Sequence, residues 1–291
     1  MIAQLIASGV LVGGLYALVA VSLNLVFGVL RIINFAQGEF LMLAMYAAYW
    51  LWTLGVDPYL AIVVVAPGMA ILGAACEKFL IRRTLSAPAH VKIFVTLGLS
   101  IALQNIALLW FKADYLNVRT SYQTSILSVV GLSLSVPRVI AFAAMLLSSG
   151  ALYLFLQRTD FGKAIRATAQ DRTTARLMGI DVDRVYMVTF ALGSALVGLT
   201  ACLLMPIYYV FPTVGTDFII VAFVVVVLGG LGSLAGSIVG GLMIGVVEQL
   251  SGFFIDISLR QVVYFAVFIL VLAIRPAGLF GQRGAEETGL K

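Results

Sequence analysis

No charged side chain occurs among residues 1–30. Beyond them, apolar stretches recur to the end of the chain, divided by short polar segments. Each stretch approaches or exceeds the roughly 20 residues that carry an α-helix across a bilayer. The pattern predicts membrane helices at about 4–28, 40–56, 59–76, 93–111, 138–157, 185–210 and 218–247, with a last one at about 261–275. The run from Phe218 to Val247 has a glycine-rich middle. It reads either as one tilted helix or as two passes broken at Gly229–Gly236, so the count is eight or nine. The alternating period of a membrane barrel is absent, so helices must satisfy the backbone in lipid. The expected fold is an all-α, polytopic integral membrane helical bundle. It forms a single domain over residues 1–291, with broken or re-entrant segments and an inverted repeat as candidate features.

Loop charge orients the bundle. Residues 77–92 hold Lys78, Arg82, Arg83 and Lys92 against Glu77, and residues 158–184 hold six basic residues against four aspartates. Both loops are expected on the cytoplasmic side. Segment 112–137 is then external, the N-terminus is outside, and Arg31–Glu39 lies on the inner side. Eight spans would leave the C-terminus outside and nine would leave it inside. Arg275, Arg283 and Lys291 favour the inner side, and with it a break in the 218–247 run. The first basic residue is Arg31, so the N-terminus lacks the positive start of a cleaved signal peptide and reads as a retained span.

An internal echo pairs GVLVGGL at Gly9–Leu15 with GSIVGGL at Gly236–Leu242. Glycines four apart fit close packing of helices through small residues. They also fit a diverged repeat about a pseudo-symmetry axis, a common plan among transporters.

Composition excludes several classes. Of 291 residues, 62% are apolar and 11% charged, whereas soluble domains hold roughly a quarter charged. The net charge of +5 follows from basic inner loops rather than from a nucleic-acid surface. Cys76 and Cys202 lie within apolar runs as small buried hydrophobes, and the single histidine, His90, leaves no cluster for a metal. No P-loop, H-E-x-x-H or G-x-S-x-G motif is present. The chain is therefore expected to be no enzyme, to bind no cofactor and no metal, and to face membrane lipid.

Three stretches carry candidate chemistry. LRIINFAQGEF, Leu30–Phe40, interrupts the first apolar block. It is either a polar inner turn or a helix break lining a cavity, where free backbone groups and a new helix N-terminus meet a solute. VVVLGGLGSLAGSIVGG, Val225–Gly241, holds six glycines, which are costly inside a helix. As a pair, the two stretches point to a transport path through Asn34, Phe35, Gln37, Gly38 and Glu39 with Gly229, Gly230, Gly232 and Ser233. Thr96, Ser100 and Gln104 fall four apart on one helix face, for interhelical hydrogen bonding or for lining that path. No span is expected to hold a mid-bilayer acid or base of the kind used in proton relays, which weighs against an ion-driven carrier.

The third stretch is GKAIRATAQDRTTARLMGID, Gly162–Asp181. Ten charged side chains lie between Arg158 and Arg184. A helix over 162–180, ended by Gly179 in a left-handed cap, would make a docking element. Its contacts would be Arg166, Asp171, Arg172, Arg176, Met178 and Gly179, with Arg172 and Arg176 one turn apart.

Those passages, INFAQGEFLMLAMY, GKAIRATAQDRTTARLMGID and VVLGGLGSLAGSIVGGL, with the ending RPAGLFG, resemble the LivH family of bacterial branched-chain amino acid ABC transporter permeases. The resemblance covers essentially the whole chain. It implies an inner-membrane, multi-pass permease driven by two cytoplasmic ABC ATPases, which would hold ATP and Mg. A periplasmic solute-binding protein and a paralogous LivM-like permease, or a second copy of this chain, would complete the importer. The charged loop would be its coupling helix, although no I-x-L-P follows Gly179. Urea and short-amide permeases share much of the pattern, and a stand-alone secondary transporter or channel is the alternative of another class.

Overall fold

The computed structural model describes residues 1–85, 87–129 and 131–281. Its first helix, α1 (Ile2–Leu30), is apolar round most of its girth, and beyond its exposed first turns it is enclosed by other helices. Every residue from Leu11 to Val26 is buried. α1 is the axis on which the rest is assembled.

The chain turns at Arg31, whose backbone is left-handed (φ 53°) with its N–H bonded to the Phe27 carbonyl at 2.8 Å. Five residues without helical structure follow, and α2 (Gln37–Thr53) then climbs away. α3 (Pro58–Phe79) opens with proline in its first turn, capped by Asp57, which accepts from the Tyr59 N–H at 2.8 Å. A 3-10 turn at Ile81–Thr84 leads to α4 (Ala89–Phe111). An outer segment follows, with a hairpin of β1 (Ile126–Val129) and β2 (Leu132–Ser135) pairing Leu127 with Leu134. The all-helical expectation omitted this small hairpin. Tyr122 ties the outer segment down by donating to Asp57 at 2.9 Å and stacking on Tyr59 at 5.0 Å.

α5 (Val136–Arg158) returns to the end expected on the inner side, called the inner end below, where α6 (Asp160–Gln170) and α7 (Arg172–Leu177) lie. α8 (Val182–Leu204), α9 (Val214–Gly229), α10 (Leu234–Phe254) and α11 (Arg260–Ile274) complete the bundle. Among the described residues, seven helical segments are long and apolar enough to cross a membrane. α2 and α9, of 17 and 16 residues, are shorter. The 218–247 run is therefore two helices, broken at Gly230–Ser233. Past α11 the backbone N–H groups of Leu279 and Phe280 bond the Leu228 and Gly229 carbonyls, at 2.8 and 2.9 Å. The segment holding Arg275 thus returns to the end where α9 stops; Arg283 and Lys291 lie outside the described residues.

Small residues set the helix contacts. The echo of Gly9–Leu15 and Gly236–Leu242 resolves into two separate interfaces. Gly9 and Gly13 of α1 press on Val246, Gly245 and Gly241 of α10, antiparallel to it, whereas Gly236 and Gly240 press on Gly229 and Val225 of α9. α3 meets α8 in the same way, through Gly73 on Ser194 and Gly198 on Ala66. α4 and α11 stand at the periphery, with Phe94, Trp110, Val262 and Ile269 exposed.

Candidate functional site

The stretch before α2 is packed rather than open. Asn34 and Gln37 are 1% and 0% exposed. Asn34 donates from Nδ2 to Gln37 Oε1 at 2.9 Å, and Gln37 Nε2 reaches Ser22 Oγ at 3.3 Å and the Gly193 carbonyl at 3.4 Å. Phe35 stacks on Phe223 at 6.3 Å. Gly38 lies against the backbone of Gly215, so the N-termini of the two short helices α2 and α9 meet. Glu39, in the first turn of α2, accepts from Ser100 Oγ halfway along α4 at 3.2 Å. Asn34 Oδ1 and Glu39 Oε2 are buried without a hydrogen-bond partner.

Glu39 overturns the expectation that no span holds a deeply placed acid, since it is 1% exposed inside the bundle. Glu248, within α10, is a second acid inside a span, half-buried beside a cavity. The polar context of Glu39 in sequence reads as an inner loop. The chain instead re-enters after Arg31, which carries α2's first turn up to the level of Ser22.

The second break is organised by Asn24 of α1. Its Nδ2 donates to the Ser233 carbonyl (2.8 Å), the Gly230 carbonyl (3.2 Å) and Ser237 Oγ (2.7 Å), while its Oδ1 accepts from the Gly232 N–H at 2.6 Å. Gly230 and Gly232 hold φ of 109° and 83°, a region side-chain-bearing residues avoid. Gly229 abuts Gly236, and Ser233 caps α10 by accepting from the Gly236 N–H at 3.1 Å. The two breaks do not touch as mirror images. They converge on the Ser22–Gly28 turn pair of α1, one through Ser22 and the other through Asn24 and Gly28. Asn24 stands out in sequence as a polar residue inside a span, but a lone asparagine in an apolar run carries no sign of what it holds.

At the inner end, the expected single helix over 162–180 is two. Asp171 breaks it by capping α7, accepting from the N–H groups of Thr173 and Thr174 at 2.7 and 3.1 Å. These backbone bonds, Thr174 foremost, with the Thr174 hydroxyl hold the Asp171 carboxyl below the usual aspartate range. Its contribution to the cap is therefore present above that range and lost only as pH falls through the lowered value. Gly179 has φ 81° and takes the left-handed position after α7. Arg166 faces back to α5, donating to Gln157 Oε1 at 2.7 Å. Arg176 pairs with Asp183 of α8 at 3.0 Å, and the Asp183 carbonyl also accepts from Arg82, itself paired with the buried Glu77 at 2.9 Å. Arg31 donates to the Ala169 carbonyl at 3.2 Å. The α6–α7 platform is thereby bonded to α1, α5 and α8, and through Arg82 to α3. Leu177 and Met178 stand out from it, 83% and 78% exposed.

A cavity of about 400 Å³ opens beside the platform, lined by Arg31, Lys92, Asp171, Arg172 and Tyr186 among others. A second, of about 460 Å³, lies at the outer end between α1, α9, α10 and α11. None of the nine residues expected on the path lines either cavity. Among the described residues no group of three or more His, Cys, Asp or Glu is placed to hold a metal.

A polytopic bundle with re-entrant breaks and an inner platform tied to four helices is the architecture of a membrane permease. Residues 5–272 match the family described as the permease component of the branched-chain amino acid transport system. The chain is 32% identical to the high-affinity branched-chain amino acid transport system permease protein LivH of Salmonella typhimurium, over 98% of this chain and 97% of that one. It is 32% identical, over the same shares, to the permease protein BraD of Pseudomonas aeruginosa. A ribose import permease, RbsC of Escherichia coli, is 25% identical over 74% of this chain and 68% of its own. No solved structure matches. The chain belongs to the family of branched-chain amino acid transport permease components.

Proposed function

We propose that this protein is the membrane-spanning half of an ABC importer for branched-chain amino acids in the inner membrane, powered by two cytoplasmic ATPases that carry the ATP and Mg. A paired permease, LivM-like or a second copy, and a periplasmic solute-binding protein complete the assembly. A relative named LivM, of Methanocaldococcus jannaschii, is 25% identical over 93% of this chain, which favours a related partner.

The observation that carries the coupling part of the reading is the bonded α6–α7 platform with its exposed Leu177–Met178 tip. An ATPase gripping that tip displaces α7. The Arg176–Asp183 pair passes the movement to α8, and the Arg31–Ala169 bond passes it to the inner end of α1. Both breaks lean on that half of α1, so the switch reaches Asn34–Glu39 and Gly229–Ser233 together. The unpartnered oxygens of Asn34 and Glu39 offer acceptors to a solute ammonium when the α2–α9 contact at Gly38 and Gly215 opens.

Leu177→Asp with Met178→Asp tests this. Both side chains are exposed, so insertion and folding should survive. Co-purification of the ATPases should fall by about tenfold or more, the loss of an apolar anchor at an interface. Full ATPase recovery with undiminished uptake would remove the docking assignment.

A further inference from the structure

The outer cavity contains chemistry that the path residues do not supply. It reaches from the outer surface at Tyr115 and Ser258 down to Tyr16, the midpoint of α1. Its volume of about 460 Å³ lies within the roughly 300–1,000 Å³ of small-molecule sites. Its walls are aromatic: Phe218 packs edge-on to Tyr208 at 5.3 Å and tilted to Tyr16 at 6.4 Å.

Charged groups of both signs line it: Asp217 of α9, Glu248 of α10 and Arg260 at the start of α11. Glu248 of α10 and Arg260 at the start of α11 both face the cavity, yet no ion pair joins them. Glu248 Oε2, Arg260 Nε and the hydroxyl of Tyr264, itself 2% exposed, are buried without hydrogen-bond partners. Three unsatisfied polar groups in one chamber are costly unless a ligand completes them. The guanidinium lies across Gly252, where a Cβ would collide with it, so α10 is shaped to hold it in place.

We propose that this chamber binds a free zwitterionic α-amino acid, Glu248 taking the ammonium, Arg260 and Tyr264 the carboxylate, and the Tyr16–Phe218–Tyr208 wall an apolar side chain. The inference rests on the importer reading for its direction, outside to inside. It places the first contact of released solute at the outer mouth, remote from the Asn34–Glu39 break.

The test is ligand-observed NMR on the whole complex in nanodiscs, without the solute-binding protein. Leucine and alanine serve as probes, and isovalerate and isopentylamine as competitors lacking one charge each. Saturation transfer to leucine should be displaced by neither competitor at equal concentration. Glu248→Gln and Arg260→Gln should each weaken it by about tenfold or more, the worth of one charge-assisted hydrogen bond. Gly252→Ala, which moves the guanidinium without removing its charge, should weaken it too. Assembly is checked by size-exclusion chromatography. Unchanged leucine transfer in both charge variants overturns the proposal, as does isopentylamine competing as well as leucine does. Alanine transfer that depends on the same residues, with none to leucine, supports the chamber while removing the branched-chain reading.

Discussion

Gly241→Leu is expected to leave little folded protein to extract. A Cβ at that position meets the Ala17 Cα at 2.7 Å and its Cβ at 2.8 Å, with no flexible side chain to yield. One turn on, Gly245 lies against Gly13 and Gly9 in the same way. Helix pairs in lipid gain nothing from the hydrophobic effect and hold together by such close contact. Forcing α10 off α1 therefore forfeits the interface itself. Overpacking a core costs about 1–3 kcal/mol where side chains adjust, and backbone against backbone exceeds that range. A domain stable by about 5–15 kcal/mol does not absorb much of it. The monodisperse fraction after extraction in mild detergent is the measurement. Gly98→Leu is the control, since nothing lies within 4 Å of that position, and it should behave as wild type.

Asn24→Leu is the second large effect. The contacts of its amide with the Gly230 and Ser233 carbonyls and Ser237 Oγ disappear, and the Gly232 N–H loses its acceptor, whereas both carbonyls keep backbone donors. A polar contact between membrane helices is worth about 0.6 kcal/mol on average and at most about 1.7, while an orphaned buried group costs about 1–3 kcal/mol. Together they place the loss at about 2–4 kcal/mol. The thermal midpoint should fall, and uptake should fall further than the midpoint explains, because the break that Asn24 holds belongs to the moving part. Asn24→Asp keeps the acceptor for Gly232 and loses the donors, so it should lie between.

Much of this architecture was legible in the chain. The charge-free first thirty residues mark a membrane helix, and α1 is the axis. The glycines at 229–236 mark a break, and two helices meet there. Charge between Arg158 and Arg184 marks an inner surface element, and α6–α7 lie there. What escaped notice depends on partners distant in sequence. Asn24 acts on residues more than 200 positions away. Asp171 looked like one more charge in a helix, but its short carboxylate competes for the next backbone N–H groups and splits it. Glu39 reads as a loop acid because re-entry after Arg31 leaves no mark in periodicity. Glu248 sits on α10 and Arg260 and Tyr264 one turn apart on α11, and only the fold brings them around one cavity with Tyr16 of α1.

The measurement that tests the central claim most directly is leucine uptake into proteoliposomes containing the permease co-purified with its partners, with solute-binding protein outside and ATP inside. Uptake that requires enclosed ATP, is indifferent to ion gradients and collapses in the Leu177→Asp, Met178→Asp variant is the predicted result. Leucine entry driven by an ion gradient through the chain alone, with no ATPase in the preparation, would contradict it.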